Sequence, residues 1–275
     1  MNVLVALLVV VIAAAAAVTG LLLVRRRAPE GSYFQDGDRA AGFFGVLATG
    51  FSVLLALVVV LAFTSYDDSR SGAETEALTV AQQFEVAHLL PAPQGSRLAA
   101  ELVCYARSVV DGEWPRMEAG TQSEAVNPWG IALFRTLRTI DPRTPAEQAA
   151  YAKWLDQRLE RESARNTRIH GAAGVIPTPL WLVLGVIAVA ILGFTLLFAD
   201  SAEPAFVQAA QIGAMVVVMG STLLVIAFLD APYHRGLGSL RPVAMERTLR
   251  ILDQERRIVG DRTPLPCDSA GGALA

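Results

Sequence analysis

Residues 43–63 have the sequence FFGVLATGFSVLLALVVVLAF, an apolar run without a charged side chain. Three other runs have the same character, namely Val3–Val24, Leu180–Ala199 and Phe206–Leu229. Each is about as long as a helix that crosses the ~30 Å hydrocarbon core of a bilayer. Because backbone polar groups in lipid must be paired within the segment, we predict four transmembrane helices.

The predicted fold class is all-α: an integral membrane protein whose two transmembrane hairpins flank a helical soluble insert. A hydrophobic fraction of 53% with 18% charged residues agrees with this class. The first hairpin is predicted at residues 1–65, with helices at about 3–24 and 43–63, and the insert at 66–178. The second hairpin is predicted at 179–230, with helices at about 180–199 and 206–229. Residues 231–275 are predicted to form an amphipathic helix and a flexible C-terminal tail.

The insert is rich in alanine, leucine, glutamate and arginine, and its apolar residues recur at steps of three and four, which is typical of helices. The first of these helices is predicted to continue the second span and to stop before Pro91. The clearest start of a helix is Thr144-Pro145-Ala146-Glu147, in which Thr144 can cap the helix and Glu147 can complete a capping box.

The first run is predicted to be an uncleaved anchor, because Arg25-Arg26-Arg27 follow it rather than precede it. Four crossings then place both termini and the insert on one side of the cell membrane. The positive-inside rule gives two opposing indications. Four arginines favour a cytoplasmic first loop (Arg25, Arg26, Arg27 and Arg39), whereas seven favour a cytoplasmic insert with cytoplasmic termini (Arg70, Arg161, Arg165, Arg168, Arg235, Arg241 and Arg247). The larger number predicts the cytoplasmic insert.

The two cysteines, Cys104 and Cys267, are far apart and have no metal-like spacing, so we predict two unrelated thiols. A disulfide between them would require both to lie on an oxidising side of the membrane.

No catalytic, cofactor-binding or metal-ligating residues are predicted, and the chain is not expected to be an enzyme. The histidines are dispersed, and no glycine-rich phosphate loop follows a strand. No basic patch interleaved with aromatic residues indicates nucleic-acid binding. The four runs contain no ionisable side chain, which disfavours an ion-coupled transporter. The predicted partners are the lipid bilayer and further copies of the chain.

The second run carries a face of small, mildly polar residues. Gly45, Thr49, Ser52 and Ala56 follow one another at steps of four, three and four, and therefore share one side of a helix. One interpretation is close helix packing within the bundle or between subunits. The other is a pore lined by the second spans of several copies, with Phe44 or Phe51 as an apolar constriction.

The chain resembles a group of bacterial four-span proteins described as bestrophin-like, over roughly residues 43–251. The residues that carry the resemblance are Gly50-Phe51, Glu76-Ala77, Tyr105-Ala106, Asp111-Gly112-Glu113-Trp114-Pro115 and Leu229-Asp230-Ala231-Pro232-Tyr233. The last motif departs from the family pattern, in which phenylalanine follows the proline and a glycine comes soon after. Here Tyr233 follows Pro232, and the glycine is delayed to Gly236.

The resemblance implies a pentameric anion channel whose second spans line the pore and whose insert is cytosolic. The predicted function is accordingly an oligomeric channel for a small anion. The alternative is a non-conducting membrane scaffold or sensor with an unknown protein partner. Glu76, Tyr105, Glu113, Trp114, Pro115, Asp230 and Pro232 are candidate site residues on this resemblance, and structural anchoring is the other interpretation of them.

Overall fold

The computed structural model of the chain describes residues 3–121, 127–236 and 238–274. Most of these residues are helical, and the only β-type pairing among them is an isolated bridge between Cys267 and Ala273. In chain order the helices are α1 (Val3–Arg25), α2 (Gly37–Ala87), α3 (Gln94–Ser108), α4 (Trp114–Glu118), α5 (Pro128–Leu137), α6 (Pro145–His170), α7 (Thr178–Leu196), α8 (Ala205–Asp230) and α9 (Val243–Val259). A π-helical turn, Val109–Glu113, joins α3 to α4. The predicted all-α class is confirmed.

Four helices, α1, α2, α7 and α8, are long and apolar enough to cross a membrane. Within the most apolar window of each, only 11% to 22% of the residues are buried inside the chain. Such extensive apolar surface needs lipid or other subunits around it.

Helix α2 is longer than its apolar run at both ends. It begins at Gly37 because the Asp36 carboxylate accepts a hydrogen bond from the Arg39 backbone N–H at 3.0 Å, which caps the first turn. It ends at Ala87, as predicted for a span that continues into the insert.

The chain divides into two compact units. The first comprises Met1–Ser65, Gly174–Ala231 and Arg235–Gly238. In this unit α1 packs along α8, and a Cβ atom added at Gly220 would lie 3.4 Å from Val10. The apolar core between α2, α7 and α8 is formed by Phe51, Leu55, Val58, Ala62, Leu184, Ile191 and Ile226, together with Ile176.

The second unit comprises Tyr66–Ala173, Pro232–His234 and Ser239–Ala275. Its core surrounds the buried α3, which packs against α5 and α9. The capping box predicted for α6 is present: the Thr144 hydroxyl accepts from the Glu147 N–H at 3.2 Å, and the Glu147 carboxylate accepts from the Thr144 N–H at 3.0 Å. These reciprocal bonds fix the start of α6.

Helices α2 and α6 approach each other closely at Gly72. A Cβ atom there would lie 2.9 Å from both the Ala164 carbonyl oxygen and the Arg168 backbone nitrogen. A side chain would therefore push the helices apart. Glu76 lies one helical turn after Gly72, so this close approach brings Arg168 within reach of Glu76.

The C-terminal segment is fixed to the second unit. Cys104 and Cys267 form a disulfide, so the prediction of two unrelated thiols is wrong. The Trp129 indole donates to the Gly271 carbonyl at 2.7 Å, and Arg107 donates to the Asp268 carbonyl at 3.0 Å. The expectation of a flexible tail is therefore also wrong between residues 267 and 274. The sequence did not show these attachments because each joins residues more than a hundred positions apart.

Candidate functional site

The small face of α2 is exposed on the surface of the first unit. Gly45, Thr49, Ser52 and Ala56 are all exposed in the first unit. The Ser52 hydroxyl donates to the Ala48 carbonyl at 2.8 Å, so its hydrogen is used within the helix and its oxygen remains available as an acceptor. Ser52 and Ala56 also line an apolar cavity together with Val218 and Thr222 of α8.

The two predicted constriction residues lie on a different side of α2. Phe51 is only 4% exposed and belongs to the core of the first unit with Ile191. The Phe44 ring is half-buried and lies 6.0 Å from the Phe194 ring and 5.9 Å from the Phe198 ring. The structure does not bring these aromatic side chains together with the small face.

An aromatic residue that sequence reasoning missed does lie on that face. Phe63 follows Ala56 by seven residues, which is two helical turns, and is 56% exposed. Val60 lies on the adjoining part of the face and is 61% exposed. The signal was available, because continuing the steps of four and three from Ala56 leads to Val60 and Phe63.

Four of the residues named from the resemblance meet inside the second unit, around an arginine. Arg168 donates from Nε to Glu76 at 2.5 Å and from Nη2 to Glu113 at 2.6 Å. The Tyr105 hydroxyl donates to the other oxygen of Glu76 at 2.5 Å. The Arg168 guanidinium lies 5.4 Å from the centre of the Trp114 ring. These side chains form one buried, charge-assisted network, here called the ion cluster.

Further contacts keep the ion cluster charged. Arg165 pairs with Glu113 at 2.9 Å, and the Asn127 amide donates to the same carboxylate at 2.9 Å. Burial alone would raise the pKa of Glu113, but the charges of Arg168 and Arg165 together outweigh it and hold this pKa below its ordinary value. Burial, reinforced by the charge of Glu76, raises the pKa of Tyr105 well above its ordinary value. Tyr105 is therefore a hydrogen-bond donor at neutral pH, and the ion cluster holds the insert helices in place.

Sequence reasoning missed the role of Arg168 in the ion cluster and of Arg165 beside it. Arg161, Arg165 and Arg168 are spaced by four and three residues, so they share one face of α6. That spacing was a usable signal, but the sequence alone suggested juxtamembrane charges.

The remaining candidate residues stabilise the backbone locally. Asp230 accepts hydrogen bonds from the N–H groups of Val175 and Ile176, at 2.7 and 2.9 Å. Pro115 is the second residue of α4 and lies directly after the π-helical turn that joins α3 to α4. The carbonyl of the buried Pro232 accepts from the Leu240 N–H at 2.8 Å.

Within residues 3–121, 127–236 and 238–274, no three His, Cys, Asp or Glu side chains lie close enough together to hold a metal ion. The candidate functional sites in that part of the chain are therefore the small face of α2 and the ion cluster.

Residues 11–244 match the bestrophin-like domain family. The chain belongs to the bestrophin-like family. No curated protein matches the sequence of this chain.

Solved structures share the fold of this bestrophin-like chain. A variant of a bacterial bestrophin homologue from Klebsiella pneumoniae superposes with a TM-score of 0.69 at 12% identity, covering 93% of this chain and 98% of that one. A second structure of the Klebsiella pneumoniae homologue gives a TM-score of 0.65 at 13% identity, covering 92% and 99%. A structure described as a membrane protein gives 0.67 at 12% identity, covering 89% and 97%. At these identities the likeness establishes the shared fold.

Proposed function

We propose that this bestrophin-like protein forms an oligomeric anion channel in which α2 lines the pore. The observation that carries the proposal is the exposed face made of Gly45, Thr49, Ser52 and Ala56 within a helix apolar enough to cross the membrane. Small residues leave room for a water-filled path, and the Ser52 oxygen can accept a hydrogen bond from water in that path. The family assignment supports this use of the second span.

The pore requires several copies of the chain. Among the described residues the small face is exposed, and at most 22% of the residues in the apolar window of each spanning helix are buried within the chain. A ring of subunits would place the α2 helices around a common axis. The apolar run of α2 contains no acidic side chain that would repel an anion.

For the constriction we propose Phe63, with Val60 beside it, in place of Phe44 or Phe51. Phe63 is exposed on the small face, whereas Phe51 is enclosed in the first unit's core. A ring of phenylalanines from several subunits would form an apolar neck that gates by dewetting.

Purified protein in liposomes, assayed for chloride efflux and then for single-channel current in planar bilayers, tests the proposal. We expect conduction by the wild type, its loss in Ser52→Trp, and a larger current in Phe63→Ala. Leu61→Trp is the matched control, because Leu61 is also exposed but lies on another side of α2. Unchanged current in Ser52→Trp would contradict the pore assignment. An absence of wild-type current together with a monomeric mass would favour the non-conducting scaffold.

The orientation of the insert is a separate proposal. The arginine count and the resemblance favour a cytoplasmic insert, but disulfides persist in oxidising compartments. Cys104 and Cys267, which form the disulfide, are 0% and 4% exposed. We propose that the insert and the C-terminal tail lie on the oxidising, non-cytoplasmic side, with Arg25, Arg26 and Arg27 on the cytoplasmic side.

Reporter fusions at the C-terminus test this orientation. We expect an alkaline phosphatase fusion to be active and a fluorescent protein fusion to be dark. In denatured extracts, maleimide should label Cys104 and Cys267 only after reduction. A bright fluorescent fusion, together with labelling that needs no reductant, would establish the cytoplasmic orientation instead.

A further inference from the structure

A cavity of about 350 Å³ lies in the second unit beside the ion cluster. Side chains from α3, α5 and α6 line it, and its size is within the range of pockets for small molecules. Its lining residues include Arg158, Arg161 and Arg165, which share a face of α6, and the apolar Ile131 and Phe134 of α5.

Arg161 is the most deeply buried arginine of this lining. Its side chain is only 1% exposed, and its Nη1 donates to the Gln83 side chain at 2.6 Å. Its Nε and Nη2 have no hydrogen-bond acceptor among the residues that the structure describes. The guanidinium also lies 4.9 Å from the centre of the Tyr105 ring. Buried donors without acceptors are rare, and they indicate an absent partner.

The charge of Arg161 is also without a paired carboxylate in the described part of the lining. Arg158 pairs with Glu162 at 3.0 Å, and Arg165 pairs with Glu113 at 2.9 Å. Burial, the largest influence, lowers the pKa of Arg161, yet a guanidinium stays protonated at neutral pH. The cavity therefore contains one buried positive charge more than its ion pairs compensate.

We propose that this cavity binds a small monocarboxylate, whose two oxygens accept from Nε and Nη2 of Arg161. These two nitrogens are on the same edge of the guanidinium, and the edge matches a carboxylate in a bidentate pair. The hydrocarbon part of the ligand would lie against Ile131 and Phe134. A single negative charge compensates Arg161, whereas the second charge of a dianion would have no unpaired cation among Arg158, Arg161 and Arg165. This site goes beyond the proposed channel and does not depend on conduction.

Isothermal titration calorimetry of the full-length protein in detergent tests the proposal, with sodium butyrate as the probe at constant ionic strength. We expect saturable binding of one butyrate per chain. Chloride, which has charge but cannot form the two-oxygen pair, and 1-butanol, which has only the hydrocarbon, should compete poorly. An absence of saturable butyrate binding, or equal competition by chloride, would overturn the proposal.

Three variants locate the site. Arg161→Gln and Arg161→Lys should both weaken butyrate binding by about tenfold or more, because neither side chain keeps the charged two-donor edge. Gly130→Leu should block the cavity without touching Arg161, since a Cβ atom at Gly130 meets nothing within 4 Å. Arg143→Gln is the matched control, because the Arg143 side chain is 83% exposed. Thermal melting shows that each variant is folded.

Unchanged affinity in both Arg161→Gln and Gly130→Leu would exclude this cavity as the site. Glu124 lies outside the described residues and is close in sequence to Asn127, which lines the cavity. If butyrate bound only to Glu124→Gln, the partner of Arg161 would be a carboxylate of the chain itself, and the proposed external ligand would be wrong.

Discussion

Replacing Arg168 by methionine removes the central cation of the ion cluster while keeping a side chain of similar length. In the wild type, the Arg168 side chain is 0% exposed and pairs with Glu76, also 0% exposed, and with Glu113, 7% exposed. After the change, Glu113 keeps its pair with Arg165, but Glu76 keeps only the Tyr105 hydroxyl. A buried carboxylate is thus left without a counter-ion.

Removal of one partner from a buried ion pair lowers the free energy of unfolding by about 3–5 kcal/mol. We expect a loss in that range for Arg168→Met. Adding Glu76→Gln to Arg168→Met removes the unpaired charge, and it should recover about 1–3 kcal/mol. The sign of this recovery distinguishes an electrostatic cause from a simple loss of packing.

Denaturant unfolding of the detergent-solubilised protein, followed by tryptophan fluorescence, measures these changes. Trp114 is a local probe, because the Arg168 guanidinium lies over its ring. Arg70→Met is the control, since Arg70 and its partner Glu74 are 60% and 59% exposed and their pair should contribute little. A loss below about 1 kcal/mol in Arg168→Met, or no recovery in the double variant, would refute the argument.

Three further changes test other parts of the structure. The folded-state pKa of Glu113 lies below its ordinary value of 4.5. The ionised Glu113 carboxylate therefore contributes fully to the free energy of unfolding above pH 4.5, and this contribution is lost as the pH falls through the folded-state pKa. Unfolding measured against pH should show this loss, and Glu113→Gln should flatten that part of the profile. Gly72→Ala should lower the free energy of chemical unfolding by about 1–3 kcal/mol, because the added Cβ atom pushes α2 away from α6. Gly42→Ala is the control on the same helix and should not destabilise the protein, because a Cβ atom there meets nothing within 4 Å. Thr144→Ala should cost about 1 kcal/mol in the same assay, and an unchanged midpoint would exclude a stabilising cap.

The membrane architecture could be predicted because its signal is local. A long uncharged run identifies a spanning helix without knowledge of its neighbours, and the capping box at Thr144 identifies the start of α6 within four residues. The start of α2 at Gly37 was missed because its first turn is polar and lies outside the apolar run.

The ion cluster and the disulfide could not be located in this way. Arg168 and Glu76 are 92 residues apart, and Cys104 and Cys267 are separated by 163. Neither spacing has a helical or motif-like period, so only the packing of α2, α3 and α6 and the path of the tail bring the partners together. The small face of α2 could be predicted only in part. Its periodicity was visible in the sequence, but only the structure showed that this face is exposed and that Phe51 is buried on another side of the helix.

The disulfide also changes the connectivity of the membrane segments. Cys104 precedes α7 and Cys267 follows α8, so the second hairpin lies inside a closed covalent ring. A protease that cuts the turn between these helices, at Asp200–Pro204, would open the ring without releasing either fragment. On a gel the two pieces would separate only after reduction, although the polypeptide backbone had already been broken.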